Sequence, residues 1–298
     1  MDQQLCKLTT VKQFECLDKS ASKIRLLDLN RIIEKVIRKQ CDQVPCKIVD
    51  IDCQTGCTTA SLSTAFPSSN VMGIGSDGNM IHYAQSHYKQ SGHFIQADVS
   101  KSDFGQHLIK HGLSDGEPFA DLIIAIHSFR MMDPNIETIL ANLNSILKPD
   151  GILCVTFSFW SDLFRIGNEV FMSDEMSLRI SDDSMYKLTK PDWNKEMEKL
   201  KQLLDKYRFR MDNNSTVIEM VEQRMEFDTL KRIQDCIRFI YPLTPFVPES
   251  KRLRFFSKFF DNVYDHSMSD GWQQEHEIYH LPYQYLSLCT TKYGPGSQ

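Results

Sequence analysis

The stretch Ala120–Phe129, ADLIIAIHSF, contains five consecutive apolar residues, Leu122 to Ile126, with no polar alternation. A strand of that kind offers no face to water. It must be covered on both sides, as at the centre of a parallel sheet. The rest of the chain supplies such a sheet. Short apolar runs at 47–51, 70–75, 92–97 and 152–159 read as strands, with helical segments or turn clusters between them. Parallel pairing through right-handed crossovers is the economical topology for that order. It predicts βαβαβαβαβ, a doubly wound α/β domain.

Ahead of the first strand, Leu26, Leu29, Ile32, Ile33, Val36 and Ile37 recur at helical spacing, and Pro45 ends that helix. After Trp160 the texture changes. Residues 161–195 read as polar and irregular, followed by a helix at 196–207, a strand at 215–227, helices at 230–240 and 253–264 around a proline-rich turn (Pro242 to Pro248), and a last strand at 285–290. The layout is therefore an N-terminal helical segment over 1–44, an α/β core over 45–160, and a cap with the final strands over 161–298.

The net charge of -5 and the absence of a dense Lys/Arg run leave nothing to attract nucleic acid or anionic lipid. No run approaches the ~20 apolar residues of a membrane span, and the start lacks a basic segment followed by an apolar core. These features imply a soluble, cytoplasmic protein. Nine scattered cysteines point to reduced thiols. Their spacing, Cys41 with Cys46 and Cys53 with Cys57, is not that of a zinc ribbon, so no metal is expected. His276-Glu277-Ile278-Tyr279-His280 matches the H-E-x-x-H zinc pattern, but it lies where a loop enters a strand and reads as incidental. Late aromatics, including Phe246, Phe255, Phe256, Trp272, Tyr279, Tyr283 and Tyr285, could wall an apolar pocket or simply form core.

In open α/β sheets ligands bind where a strand's carboxyl end meets the next helix, so Asp52-Cys53-Gln54-Thr55-Gly56, after the first strand, is the first turn to examine. VDIDCQTG, VMGIG, FIQAD and LKPDGILCVTF, in that order, resemble the signatures of class I S-adenosylmethionine-dependent methyltransferases over roughly residues 45–160. The resemblance implies a Rossmann-like, mostly parallel sheet with a C-terminal helical cap, and S-adenosylmethionine as cofactor. Within that class the chain looks most like insect juvenile hormone acid O-methyltransferases. The carriers are Lys19-Ser20-Ala21-Ser22, the Pro242 to Pro248 turn and RLRFFSKFFDNVYD. Histamine N-methyltransferase is similar in length and in its insertion after the fifth strand, which leaves an amine acceptor open.

The resemblance implies a small-molecule acceptor, the carboxylate of an apolar acid such as juvenile hormone acid or farnesoic acid. It also implies Asp50 orienting the turn, Gly56 at the helix amino end, and Asp98 toward the adenine amine, with Val99 and Ser100 beside it. Asp52 and Gln54 occupy positions where the family carries glycine. An Asp52 carboxylate facing the cofactor carboxylate at about 4 Å would repel it by ~4 kcal/mol. Gly75 stands where the family has a ribose-binding carboxylate. Asp77, two residues on, either replaces it or makes a local turn bond. Phe129-Arg130-Met131-Met132 replaces the family's Leu-His-His run, and Arg130 could pair with a substrate carboxylate or with Asp133. His127 lies at the edge of the fourth strand, and Ile24 stands where the hormone enzymes carry a glutamine. Methyl transfer to a carboxylate needs no general base, because proximity and alignment do most of the catalysis. A catalytically silent member of the fold, binding a ligand or a protein partner, is the other reading. Oligomeric state is left open.

Overall fold

The computed structural model describes residues 11–20, 22–37, 44–129, 135–158, 162–173, 192–212, 215–227, 247–270, 274–275 and 278–294, with 229, 231 and 234. In chain order the elements are α1 (Val11–Ser20), α2 (Ser22–Ile32) with a π-helical turn Ile33–Ile37, β1 (Lys47–Ile51), α3 (Cys57–Ala65), β2 (Asn70–Gly75), α4 (Gly78–His87) and β3 (His93–Gln96). Then come α5 (Phe104–Lys110), β4 (Ala120–Phe129), α6 (Ile136–Ile146), β5 (Leu147–Ser158), α7 (Asp162–Met172), α8 (Trp193–Lys206), β6 (Val217–Phe227), α9 (Glu249–Asp270), β7 (Gln274–Glu275) and β8 (Ile278–Thr291). The chain divides into two compact units. The larger is Ser22–Ser158 with Asp192–Val221 and Tyr285–Gln298, and the smaller is Met1–Ala21 with Phe159–Pro191 and Glu222–Gln284.

The strand order β3-β2-β1-β4-β5-β8-β6 organises the larger unit. Strands β1 to β5 pair in parallel, and β8 returns antiparallel to β5 from Ile152↔Thr291 to Ser158↔Tyr285. The chain winds outward from β1 through β2 to β3, then starts again at β4 on the other side of β1. That reversal makes the carboxyl ends of β1 and β4 the topological switch point, the place where such sheets bind ligands.

The expectation for β4 holds in detail. Leu122, Ile124 and Ile126 pack with Leu29, Ile32, Ile33, Ile37, Leu62 and Phe66, whereas Ile123 and Ala125 join Phe104, Leu108, Leu140, Leu143 and Leu204. Alternate side chains of one strand thus enter two separate cores, which is why no polar residue is tolerated between them. At about 1.5–3 kcal/mol for each large apolar side chain, the four Leu and Ile residues of the run contribute on the order of 6–12 kcal/mol of gross burial.

Three differences from the sequence reading have physical causes. Residues 162–172, read as irregular, form α7, because Ile166, Val170 and Phe171 recur at helical spacing and are buried. The turn expected at Lys148 to Gly151 is absorbed into β5, with Asp150 at φ 59° and a register shift against β4 between Ala120 and Leu122. The last strand begins at Ile278 and takes in Ile278, Tyr279 and His280 of the H-E-x-x-H match, whose His276 and Glu277 fall outside the described residues.

In the smaller unit, Phe255 and Phe259 of α9 are fully buried and stacked, with Phe171 of α7 edge-on to Phe255. These aromatics are core. Phe246 and Trp272 lie outside the described residues, as does nearly all of the helix expected at 230–240. Among the described residues no helix is long and apolar enough to cross a membrane, and no cluster of three metal-ligating side chains occurs.

Candidate active site at the switch point

The turn that follows β1 keeps a glycine-type backbone without glycine-type residues. Asp52 has φ 55°, Gln54 φ 52° and Gly56 φ 93°. Left-handed conformation costs an L-residue roughly 1–2 kcal/mol, less for Asp than for Gln because a short polar side chain bonds locally. The surroundings hold the turn in place. The Cys53 amide donates to Ile74 O at 3.0 Å and the Gly56 amide to Cys53 O at 2.9 Å. Cys53 itself fills a buried niche with Ile81, Ala84 and Phe94, as a small packing residue. At Gly56 a Cβ would stand 2.8 Å from Phe94 Cε1 and 2.9 Å from Ala84 Cβ, so the third position has no alternative to glycine.

Asp50, on the strand before the turn, is fully buried. Its Oδ2 accepts from Thr58 Oγ1 at 2.5 Å and Thr59 Oγ1 at 2.7 Å, which ties β1 to the first turn of α3. Burial pushes its carboxyl pKa up, against the opposing charge of Arg25 and the two threonine hydroxyls. Asp52 is shifted the same way, first by burial. Arg25 pulls it down, and the charges of Asp98 and Asp77 lift it further. The carboxylates that follow β1, β2 and β3 therefore share one electrostatic neighbourhood.

The cation in that neighbourhood comes from α2 and escaped sequence reasoning. Arg25 is only 4% exposed. Its Nη2 donates to Asp52 O at 2.7 Å, and among the described residues its Nε and Nη1 have no hydrogen-bond partner. The signal was present. Ile24, Arg25, Asp28, Leu29 and Ile32 form the buried stripe of α2, so two charged residues stand where an amphipathic helix needs apolar ones.

Asp28, the second of them, is fully buried and meets His127 of β4, with His127 Nε2 2.7 Å from Asp28 Oδ2. His127 has φ 53°, its amide donates to Thr156 Oγ1 at 2.6 Å, and its ring stands edge-on to Tyr285, centroids 5.0 Å apart. The next residue, Ser128, donates to Ile51 O at 3.0 Å, which fastens the end of β4 to the start of the turn. Behind the pair, Arg31 bonds Glu219 at 2.8 Å. Burial is the largest influence on Arg31 and opposes its charge, but the bond and charge of Glu219 together with Tyr285 hold its pKa up. Burial and the Asp28 charge raise the Tyr285 phenol.

The remaining expected residues fall around the same edge. Asp77 is the N-cap of α4, its Oδ1 accepting from the amides of Asn79 and Met80, so the local turn bond is present. Gly75 is buried at the end of β2. Asp98 Oδ1 accepts from the amide and the hydroxyl of Ser100, and Val99 O accepts from Asn142 Nδ2 of α6, a support the sequence did not single out. Arg130 lies outside the described residues.

Comparisons with known proteins bear on this geometry. Residues 48–151 match the family described as "Methyltransferase domain". A malonyl-[acyl-carrier protein] O-methyltransferase of Halalkalibacterium halodurans is 27% identical over 170 residues, 55% of this chain. The match spans 58% of that relative's length. Among solved structures, the YcgJ protein of Bacillus subtilis superposes with a TM-score of 0.52 at 9% identity, covering 89% of this chain and 99% of that one. A candidate methyltransferase of Bacillus halodurans gives a TM-score of 0.53 at 12% identity, covering 90% and 99%. These two likenesses show the fold.

S-adenosylmethionine is the cofactor that likeness to such a domain implies, and the turn offers groups of matching chemistry. The turn retains the backbone path that a close-lying ligand requires. Among the described residues Arg25 has N–H groups without partners, of the kind a carboxylate pairs with, and Asp52, Asp77 and Asp98 bring carboxylate acceptors to the same edge. Residues 48–151 are thus similar to the family described as "Methyltransferase domain", on a mostly parallel, Rossmann-like sheet.

Proposed function

We propose that the protein transfers a methyl group from S-adenosylmethionine to the carboxylate of an apolar small-molecule acid, with juvenile hormone acid and farnesoic acid as representatives of the class. The observation that carries the cofactor half is Arg25, a buried guanidinium with two nitrogens unpartnered among the described residues, held to the Asp52 carbonyl of a left-handed turn. The relative named as an O-methyltransferase supports oxygen as the acceptor atom.

Bound S-adenosylmethionine supplies an electrophilic methyl group on a sulfonium centre. Arg25 takes the carboxylate of its methionine end, and Asp52 takes the adjacent ammonium. This pairing removes the like-charge repulsion that Asp52 alone would impose. Asp50 orients the turn through Thr58 and Thr59, with Gln54 and Gly56 presenting backbone toward the ligand. Gly75 leaves room for the ribose beside Asp77, whose Oδ2 is not engaged in the cap bonds. Asp98 and Val99 border the adenine. His127, with Arg130, serves the acceptor side. A carboxylate acceptor arrives already anionic, so these residues need only hold it in line and exclude water.

Isothermal titration with S-adenosylhomocysteine tests the reading. The wild type should bind in the micromolar range, and Arg25→Met should weaken binding at least tenfold. No heat at high micromolar concentration would favour the silent, ligand- or partner-binding reading.

A further inference from the structure

We propose that Cys154 of β5 and Cys289 of β8 are a peroxide-oxidisable pair, the site of a disulfide that forms across the sheet and staples its antiparallel strand. The proposal goes beyond the methyltransferase reading and does not depend on it, because neither cysteine belongs to the candidate site.

The ladder sets the geometry. Cys154 and Cys289 oppose each other directly, within an unbroken register from Ile152↔Thr291 to Ser158↔Tyr285. Directly opposed residues of an antiparallel pair put their side chains on one face of the sheet. Their Cα atoms stand about 4.5 or 5.5 Å apart, according to whether the pair exchanges backbone hydrogen bonds. Both values fall inside the ~4.4–6.8 Å range that a disulfide spans, so the backbone need not move. The sulfurs already touch, Cys289 Sγ donating to Cys154 Sγ at 2.7 Å. Both are free thiols in this state. Closing the bond to about 2.05 Å asks only for a small turn of the two side chains.

Burial selects the oxidant. Cys154 is 0% exposed and Cys289 1%. They lie in the core with Ile124, Ile126 and Ile152 of the sheet and Leu29 and Ile32 of α2. Hydrogen peroxide is hardly larger than water and enters on a local opening of the strand. Glutathione disulfide would have to leave a tripeptide in a close-packed interior as a mixed disulfide. In the first step one sulfur attacks a peroxide oxygen, an S–O bond forms, the O–O bond breaks, and the departing hydroxide takes the thiol proton to become water. In the second, the other sulfur attacks the sulfenic sulfur, the S–O bond breaks, and hydroxide leaves with the second thiol proton as a second water. The pair loses two electrons and one peroxide becomes two waters. Because the resolving thiol is already in contact, the sulfenic acid is consumed before it oxidises further. The bond joins residues 135 apart in sequence. A loop of that length is the case in which a cross-link restricts the unfolded chain most.

The test uses the full chain, reduced and then treated with hydrogen peroxide. Peptide mapping without reductant, after blocking of the remaining thiols, should find the Cys154 and Cys289 peptides joined and two hydrogens lighter. The Tm of the oxidised protein should rise by about 3–6 °C and fall back on addition of dithiothreitol. Cys154→Ala and Cys289→Ala, each compared with its own reduced form, should show no rise. Glutathione disulfide at the same concentration should leave the pair reduced, and equal oxidation by it refutes the assignment to peroxide. Thiols at 154 and 289 that stay free for blocking, or that end as sulfinic acids, overturn the proposal. So does a cross-link with no rise in Tm, or the same rise in either alanine variant.

Discussion

Gln54→Gly should stabilise the protein, against the usual direction of a glycine substitution. Gln54 sits at φ 52°, in a conformation costing an L-residue roughly 1–2 kcal/mol. Glycine removes that cost but loosens the unfolded chain, which returns about 0.4–1 kcal/mol. The net gain is therefore about 0–1.6 kcal/mol, centred near 0.8, a rise in Tm on the order of 1–2 °C at the centre for a chain of this size. Gln54→Ala is the control, since it keeps a Cβ at the same φ and should gain nothing. Asp52→Gly should gain less than Gln54→Gly, because Asp tolerates the left-handed region better. Urea unfolding followed by tryptophan fluorescence reads all three. Equal stability of the Gly and Ala variants at position 54 would refute the idea that the turn is strained there. A gain in stability with no loss of S-adenosylhomocysteine affinity would show that the ligand requires the backbone path and not the glutamine side chain.

Thr58→Val removes a 2.5 Å hydrogen bond to a buried carboxylate and should cost about 1.5–3 kcal/mol in urea unfolding, whereas a loss under 0.5 kcal/mol would mean Thr59 alone satisfies Asp50. Asp98→Ala should weaken S-adenosylhomocysteine binding about tenfold by calorimetry, and an unchanged affinity would move the adenine elsewhere. Burial outweighs Arg25 and raises the Asp52 carboxyl. A carboxyl whose pKa is higher folded than unfolded supports folding when protonated and loses that support as pH rises through its folded value. Wild-type stability relative to Asp52→Asn should therefore fall from the ordinary carboxylate range upward, and a difference that grows with pH would contradict the direction.

The parallel sheet was legible because β4 cannot be anything but a doubly buried strand, and Leu122 to Ile126 state that without help from neighbours. The turn after β1 was legible as a location but not as a conformation. Asp52 and Gln54 look like losses of glycine, and only the backbone angles show that the path survives the substitution. Local propensity argued against the conformation, while Cys53 packing and the Gly56 niche imposed it. The helix α7 was missed for the opposite reason. Its polar neighbours hid a short apolar repeat whose burial decides the outcome.

What remained hidden is concentrated on one helix. Arg25 and Asp28 occupy the buried stripe of α2, three residues apart and so about 4.5 Å along its axis. A sequence reading that sorts residues into apolar and polar treats both as interruptions of an amphipathic pattern. In space they diverge to different strands, Arg25 to the turn after β1 and Asp28 to His127 at the end of β4. The fixed rise of the helix therefore sets the separation between the guanidinium that meets the turn after β1 and the carboxylate that meets the end of β4. Leucine at either position would improve the amphipathic pattern and remove one of the two. A charge in an apolar stripe costs stability, and at the switch point of an open sheet it identifies which helix face the site is built upon.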